Sequence, residues 1–88
     1  MSHPRWTYCE LHATAGAKCD FGDVVILDST ANGLVGKLRE HFGLPPEPSV
    51  QGQHSAEVRL LNVLGSQGWE YVHAWPNYQR FYLKKRVD

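Results

Sequence analysis

The segment from Ser55 to Trp69 constrains the fold of this chain most, because it reads as one amphipathic helix with a defined start and stop. Ser55 is a suitable N-cap, and Gly68 fits the left-handed position that follows a C-cap. That geometry would bring Leu64 and Trp69 together as the contacting pair of a Schellman motif. The residues that form one broad apolar stripe are Ala56, Leu60, Leu61, Val63 and Leu64. A helix with a single apolar face must pack against another element, so the segment predicts a layered domain.

Extended segments on both sides of this helix predict the other layer. They are rich in aromatic and β-branched residues and are separated by turn-forming residues. These strands are residues 5–13, 23–28, 69–75 and 78–87, with a loop over 14–18 and the turn pair Pro76-Asn77. We predict an α+β fold: an antiparallel sheet of four to five strands with one helix packed on one face, in the order β-β-(β)-α-β-β.

The segment after residue 28 is ambiguous. Asn32-Gly33 is a strong hairpin-turn signal, since both residues tolerate positive φ, and it would make residues 34–40 a return strand. The rival is a helix over residues 31–42, capped by Ser29 or Thr30, which Gly33 and Gly36 would weaken by roughly 1 kcal/mol each. We prefer the hairpin.

Length and charge bound the class of protein. The 88 residues form one domain, 1–88, with a proline-rich linker at about 43–53. Nine basic residues balance nine acidic ones, which does not favour a nucleic-acid binder. There is no run of about 20 apolar residues for a membrane span and no apolar run of signal-peptide type near the start. We expect a cytoplasmic protein without membrane contact.

Three motifs occur in order along the chain. They are the opening Trp6-x-Tyr8, the block Leu61-Asn62-x-Leu64-Gly65-x-x-Gly68-Trp69-Glu70, and the closing Tyr82-Leu83-Lys84-Lys85-Arg86. Together they resemble the small bacterial domain of unknown function numbered 4177, over residues 5–13 and 55–87, whereas residues 14–53 match poorly. The resemblance implies the sheet-plus-helix fold and supplies no catalytic residues.

The residues that could carry chemistry do not form a recognisable site. Cys9, His12 and Cys19 are too few for a structural zinc site, which needs four ligands, and Cys9 and His12 would point to opposite faces of a strand. No histidine lies in a zinc-protease or nucleophile arrangement. We expect no catalytic residue, no metal and no cofactor, and we do not expect an enzyme.

The last strand is basic and aromatic. Its cations are Arg80, Lys84, Lys85 and Arg86, interleaved with Tyr78, Phe81 and Tyr82. Aromatic rings and cations on a sheet can stack nucleic-acid bases. Charged residues also protect an edge strand from aggregation. We prefer edge protection, and nucleic acid is not an expected partner.

The distribution of large apolar groups carries our functional expectation. One helix covers one sheet face, but both faces of the strands carry apolar side chains, and a solvated face should be mostly polar. We expect an aromatic interaction face that joins two copies in a homodimer, made by Tyr8, Tyr71, His73 and Trp75.

Two alternatives stay open for that face. The loop over residues 41–54 could cover it. The face could instead bind a small ligand or nucleotide, with His73 or Arg80 as polar anchor. Nucleic-acid regulation through the basic strand is a further alternative.

Overall fold

The computed structural model of this chain describes residues 5–14, 16–47 and 54–87. Its five strands form one antiparallel sheet in the order β3-β2-β1-β5-β4, and two helices separate β3 from β4. The elements are β1 (Trp6–His12), β2 (Ala17–Asp20), β3 (Val25–Asp28), α1 (Ala31–His41), α2 (Ala56–Ser66), β4 (Glu70–Trp75) and β5 (Arg80–Arg86). The α+β class and the antiparallel sheet are confirmed, and the helix count is corrected from one to two. Among the described residues no helix is long and apolar enough to span a membrane.

The segment after β3 is a helix, so the preferred hairpin is wrong. Thr30 is its N-cap, and the Thr30 hydroxyl accepts a hydrogen bond from the Gly33 N–H at 3.0 Å. Asp28 Oδ2 in turn accepts a hydrogen bond from the Thr30 N–H at 3.0 Å. The helix buries Leu34 and Leu38 completely, which outweighs the propensity cost of its glycines. The Asn-Gly pair lies in the first turn of α1.

The second strand was missed. The predicted loop over residues 14–18 ends by Gly16, and β2 begins at Ala17. In β2 the buried Ala17 and Cys19 alternate with half-buried Lys18 and Asp20. Four residues give too short an alternation for the period of a strand to stand out from a turn.

Both helices end in the same backbone motif. After α2 the Trp69 N–H donates to the Leu64 carbonyl at 3.1 Å and the Gly68 N–H donates to the Gly65 carbonyl at 3.0 Å, with Gly68 at φ +90°. These are the two hydrogen bonds of a Schellman motif, and Leu64 and Trp69 are both buried.

The end of α1 repeats this arrangement. The Leu44 N–H donates to the Arg39 carbonyl at 2.8 Å and the Gly43 N–H donates to the Glu40 carbonyl at 3.1 Å, with Gly43 at φ +69°. The glycine at position 43, which looked like the start of a linker, therefore terminates a helix.

Both helices pack on the same face of the sheet. The core lies between that face and the helices, and it joins strand residues to helix residues in one cluster. The largest fully buried side chains are Leu11, Cys19, Leu34, Val35, Leu38, Leu60, Leu64 and Leu83. On the strands these are odd-numbered positions, so the even-numbered positions of β1, β2 and β5 face away from the helices.

The described part of the loop after α1 also lies with the helices. Arg39 Nε donates to the Pro45 carbonyl at 2.7 Å, and the guanidinium of Arg59 on α2 binds the Glu47 carboxylate and Asn32 Oδ1. Residues 44–47 thus do not cover the second sheet face. Residues 48–53, the rest of the loop expected as an alternative cover, lie outside the described residues.

Candidate functional site

The sheet face opposite the helices is not covered by any described element, and we call it the open face. Directly paired residues of antiparallel strands share a face, so the strand register assigns its members. They are Trp6, Tyr8, Glu10 and His12 on β1, Lys18 and Asp20 on β2, Val25 and Leu27 on β3, Glu70, Val72, His73 and Trp75 on β4, and Arg80, Tyr82, Lys84 and Arg86 on β5. Tyr8, Val25, Leu27 and Val72 are large apolar groups exposed there.

A bulge in β4 changes which of the expected aromatic residues share this face. Tyr71 pairs with the buried Leu83, whereas His73 pairs with Tyr82, so the register shifts at Val72. Both bulge residues, Val72 and His73, therefore lie opposite Tyr82 on the open face.

Of the four predicted face residues, three lie together on the open face: Tyr8, His73 and Trp75. Tyr71 lies on the helix-covered side at the sheet edge, where it is 61% exposed. Simple alternation from Trp69 to Trp75 does not hold because a bulge inserts one extra residue.

An ion-pair cluster lies on the open face where β1 ends and β5 begins. Glu10 Oε1 accepts hydrogen bonds from Arg80 at 2.5 Å and from the His12 ring. The bond from Arg80 is the largest cause that lowers the pKa of Glu10, and the bond from His12 lowers it further. Glu10 is consequently a carboxylate whose charge is balanced within the face.

An aromatic cluster adjoins this ion-pair cluster. The Trp75 ring meets the His73 ring edge-on at 4.3 Å and the Tyr82 ring edge-on at 4.7 Å between centroids. Such perpendicular contacts are favoured by the ring quadrupoles and hold the rings in defined orientations. The cluster is a preformed apolar surface on the open side of β4 and β5.

The predicted edge role of the basic strand is wrong, because β5 lies between β1 and β4. Its cations are divided between the two faces. Arg80 pairs with Glu10, and the Lys84 ammonium lies over the Trp6 ring, 4.0 Å from its centroid. Arg86 is also on the open face, opposite Trp6, whereas Lys85 is on the helix side beside Gly68.

The edges of the sheet are β3 and β4. On β3, Lys37 from α1 donates to the Leu27 carbonyl at 2.8 Å and contacts Asp28 Oδ1 at 3.2 Å. A lysine from the following helix thus caps one backbone acceptor of this edge.

An open hollow of about 460 Å³ lies in the middle of the open face. Its lining residues are Tyr8, Cys9, Glu10, Asp20, Gly22, Val72 and Tyr82. Sequence reasoning missed Tyr82, Val72, Glu10 and Asp20 as site residues. Strand alternation could have placed Tyr8, Glu10 and Tyr82 on one face. The bulge that brings Val72 to that face has no recognisable sequence pattern.

The two cysteines are free thiols buried in the core. A hydrogen bond with Cys9 and burial raise the pKa of the Cys19 thiol, which keeps it protonated and weakly nucleophilic. Within residues 5–14, 16–47 and 54–87, no group of three or more histidine, cysteine or acidic side chains could hold a metal ion.

Comparison of the chain with protein-family models, with curated proteins and with solved structures finds no match. The resemblance to the domain numbered 4177 therefore stays a prediction from its motifs. Any functional proposal rests on the geometry of the open face.

Proposed function

We propose that this chain is a self-associating interaction module in which two copies pack through their open faces. The observation that carries the proposal is the placement of both helices on one side of the sheet. Large apolar groups remain exposed on the other side, whereas a sheet face that contacts only water is mostly polar. A second copy would cover them by sheet-on-sheet packing at about 10 Å.

The size of the open face is suited to a dimer of moderate affinity. Five strands about 4.8 Å apart, with about 3.4 Å per residue along each, give roughly 500 Å² of flat area. Protruding side chains enlarge the accessible area, which brings it near the lower end of stable interfaces, at about 600 Å² per partner. Rotational and side-chain freedom lost on association offset much of the gain, so a micromolar dimer is the expected strength.

The charges of the open face are compatible with a second copy of itself. Acidic Glu10, Asp20 and Glu70 lie among basic Lys18, Arg80, Lys84 and Arg86, so neither sign dominates. In a two-fold interface the same patch meets itself, and a mixed-sign patch can avoid like-charge contacts that a one-sign patch cannot.

Nucleic-acid binding through β5 has weaker support. Arg80 is already paired with Glu10, and the Lys84 ammonium is engaged by Trp6. A chain of zero net charge also lacks the basic excess that phosphate backbones attract. The central position of β5 supports a structural use for its charged residues.

Sedimentation equilibrium of the purified chain at 1 to 100 micromolar, about the range of a micromolar dissociation constant, tests the proposal. We expect the weight-average mass to rise toward that of two chains. A single 10.0 kDa species over the whole range would contradict self-association. An increase in mass beyond two chains would contradict the closed two-fold arrangement.

A further inference from the structure

The hollow in the open face has a lining that selects for one class of small molecule. Among its seven lining residues are two carboxylic acids and two tyrosines, and none of the seven carries a positive charge. We infer that the hollow binds a free small organic cation, namely an amine or quaternary ammonium that carries an apolar group. This inference does not require the self-association proposed above.

Among the described residues, one oxygen of each carboxylate accepts no hydrogen bond. Arg80 and His12 both donate to Oε1 of Glu10, and no donor among the described residues reaches Oε2. Asp20 is similar, because the Gly22 N–H donates to Oδ1 at 2.8 Å and no described donor reaches Oδ2. A cationic group in the hollow would therefore gain charge-assisted contacts without displacing an existing partner.

Two cations of the open face, Lys84 and Arg80, are engaged by other partners. The ammonium of Lys84, which is paired with Tyr8 across the strands, lies over the Trp6 ring. The guanidinium of Arg80 is bound to Glu10. Neither side chain is among the lining residues of the hollow.

The remaining walls suit the apolar part of such a ligand. Tyr8 and Tyr82 present aromatic rings, which attract cations within about 6 Å of the ring centroid, and Val72 adds an aliphatic wall. Contact with Trp75 fixes the Tyr82 ring, so one wall is preformed. A volume of about 460 Å³ falls within the usual size of small-molecule sites.

The same lining disfavours a nucleotide, which the sequence analysis left open as an alternative ligand of this face. A phosphate in the hollow would face the carboxylates of Glu10 and Asp20 and would meet no cation among the lining residues. Like charges at contact distance repel. The charge of the preferred ligand is therefore positive.

Titration of the ¹⁵N-labelled full chain with benzyltrimethylammonium tests the inference, with benzyl alcohol and benzenesulfonate as neutral and anionic controls. The amide signals of Gly22 and Val72 report on opposite walls of the hollow. We expect saturable shifts of both signals with the cation and at least fivefold weaker binding of either control. Equal binding of benzyl alcohol, or shifts confined to residues outside the hollow, would overturn the inference.

Two variants separate this site from a general attraction of cations to the open face. Asp20→Asn removes a charge from the hollow and should weaken binding of the probe about fivefold. Glu70→Gln removes a charge from the same face outside the hollow and should leave binding unchanged. Equal affinities of wild type and Asp20→Asn would contradict the site.

Sedimentation of the same samples keeps this inference distinct from the proposed function. Because two copies packed through their open faces would cover the hollow, binding is judged at a protein concentration at which sedimentation shows a monomer. A monomer that does not bind the probe would contradict the cation site, whatever the mass at higher concentration. A chain that binds the probe and stays monomeric up to 100 micromolar would support the site and contradict self-association.

Discussion

The carboxylate of Asp28 lies directly against the α-carbon of Gly33, so that a β-carbon at position 33 would be 1.9 Å from Asp28 Oδ2. Asp28 is held there by the Thr30 N–H and by Lys37, the interactions that also lower its pKa. Gly33→Ala would force the carboxylate away from the first turn of α1. Alanine also gains helix propensity, so we expect Gly33→Ala to be less stable than Gly36→Ala by about 1 kcal/mol in the free energy of unfolding, measured by urea denaturation.

Gly36→Ala is the matched control in the same helix. A β-carbon at position 36 meets nothing within 4 Å, so alanine should stabilise the chain by up to about 1 kcal/mol through its higher helix propensity. An equal change in the free energy of unfolding for the two substitutions would mean that Asp28 does not restrict position 33.

The end of α2 gives a second matched pair. Gly68 has φ +90°, and a β-carbon there would make only ordinary contact with Lys85 at 3.6 Å, so the cost of Gly68→Ala is conformational. We expect it to lower the unfolding free energy by about 1 kcal/mol or more. Gly65→Ala, inside the helix with open space around it, should be neutral or stabilising. Identical denaturation midpoints for wild type and Gly68→Ala would contradict the helix stop.

The ion-pair cluster predicts a pH dependence of stability. Because the folded-state pKa of Glu10 lies below its ordinary value of 4.5, its ionised form contributes stability that is complete above pH 4.5 and is lost as pH falls through the lowered pKa. Glu10→Gln should thus be less stable than wild type at pH 7, and the difference should shrink in acid.

Glu70→Gln provides the control for this effect, since Glu70 is exposed on the same face outside the cluster. Urea denaturation from pH 7 to pH 3, at a protein concentration low enough to keep the chain monomeric, compares the three proteins. A stability gap between wild type and Glu10→Gln that stays constant over this range would contradict the assigned role of the Glu10 carboxylate.

The parts of the fold that follow from local patterns could be predicted from the sequence. The helix over Ala56–Ser66 and the antiparallel class have strong periodic or capping signals. The helix over Ala31–His41 was not predicted because Asn32-Gly33 has the composition of a hairpin turn. In the structure the Asp28 carboxylate leaves no room for a β-carbon at position 33, and this tertiary contact has no local sequence signal. The stop at Gly43-Leu44 resembles that at Gly68-Trp69 and was the available sign of a first helix.

The candidate face was only partly predictable. Alternation correctly separates Tyr8 from Cys9 and Leu11 on β1, since no bulge interrupts that strand. It fails on β4, where the shift at Val72 moves Tyr71 to the other side. The central place of β5 depends on long-range pairing of the first and last strands, which no local pattern encodes.

Tyr8 and Tyr71 allow the most direct test of the open face as the self-association surface, because they are nearly equally exposed, at 59% and 61%, on opposite sides of the sheet. Sedimentation equilibrium of Tyr8→Ser and Tyr71→Ser compares their dimer dissociation constants with that of wild type. We expect an increase of about tenfold or more for Tyr8→Ser, because an aromatic group at the centre of an interface contributes strongly to binding, and a change within about twofold for Tyr71→Ser. Equal weakening by the two substitutions, or weakening by Tyr71→Ser alone, would contradict it.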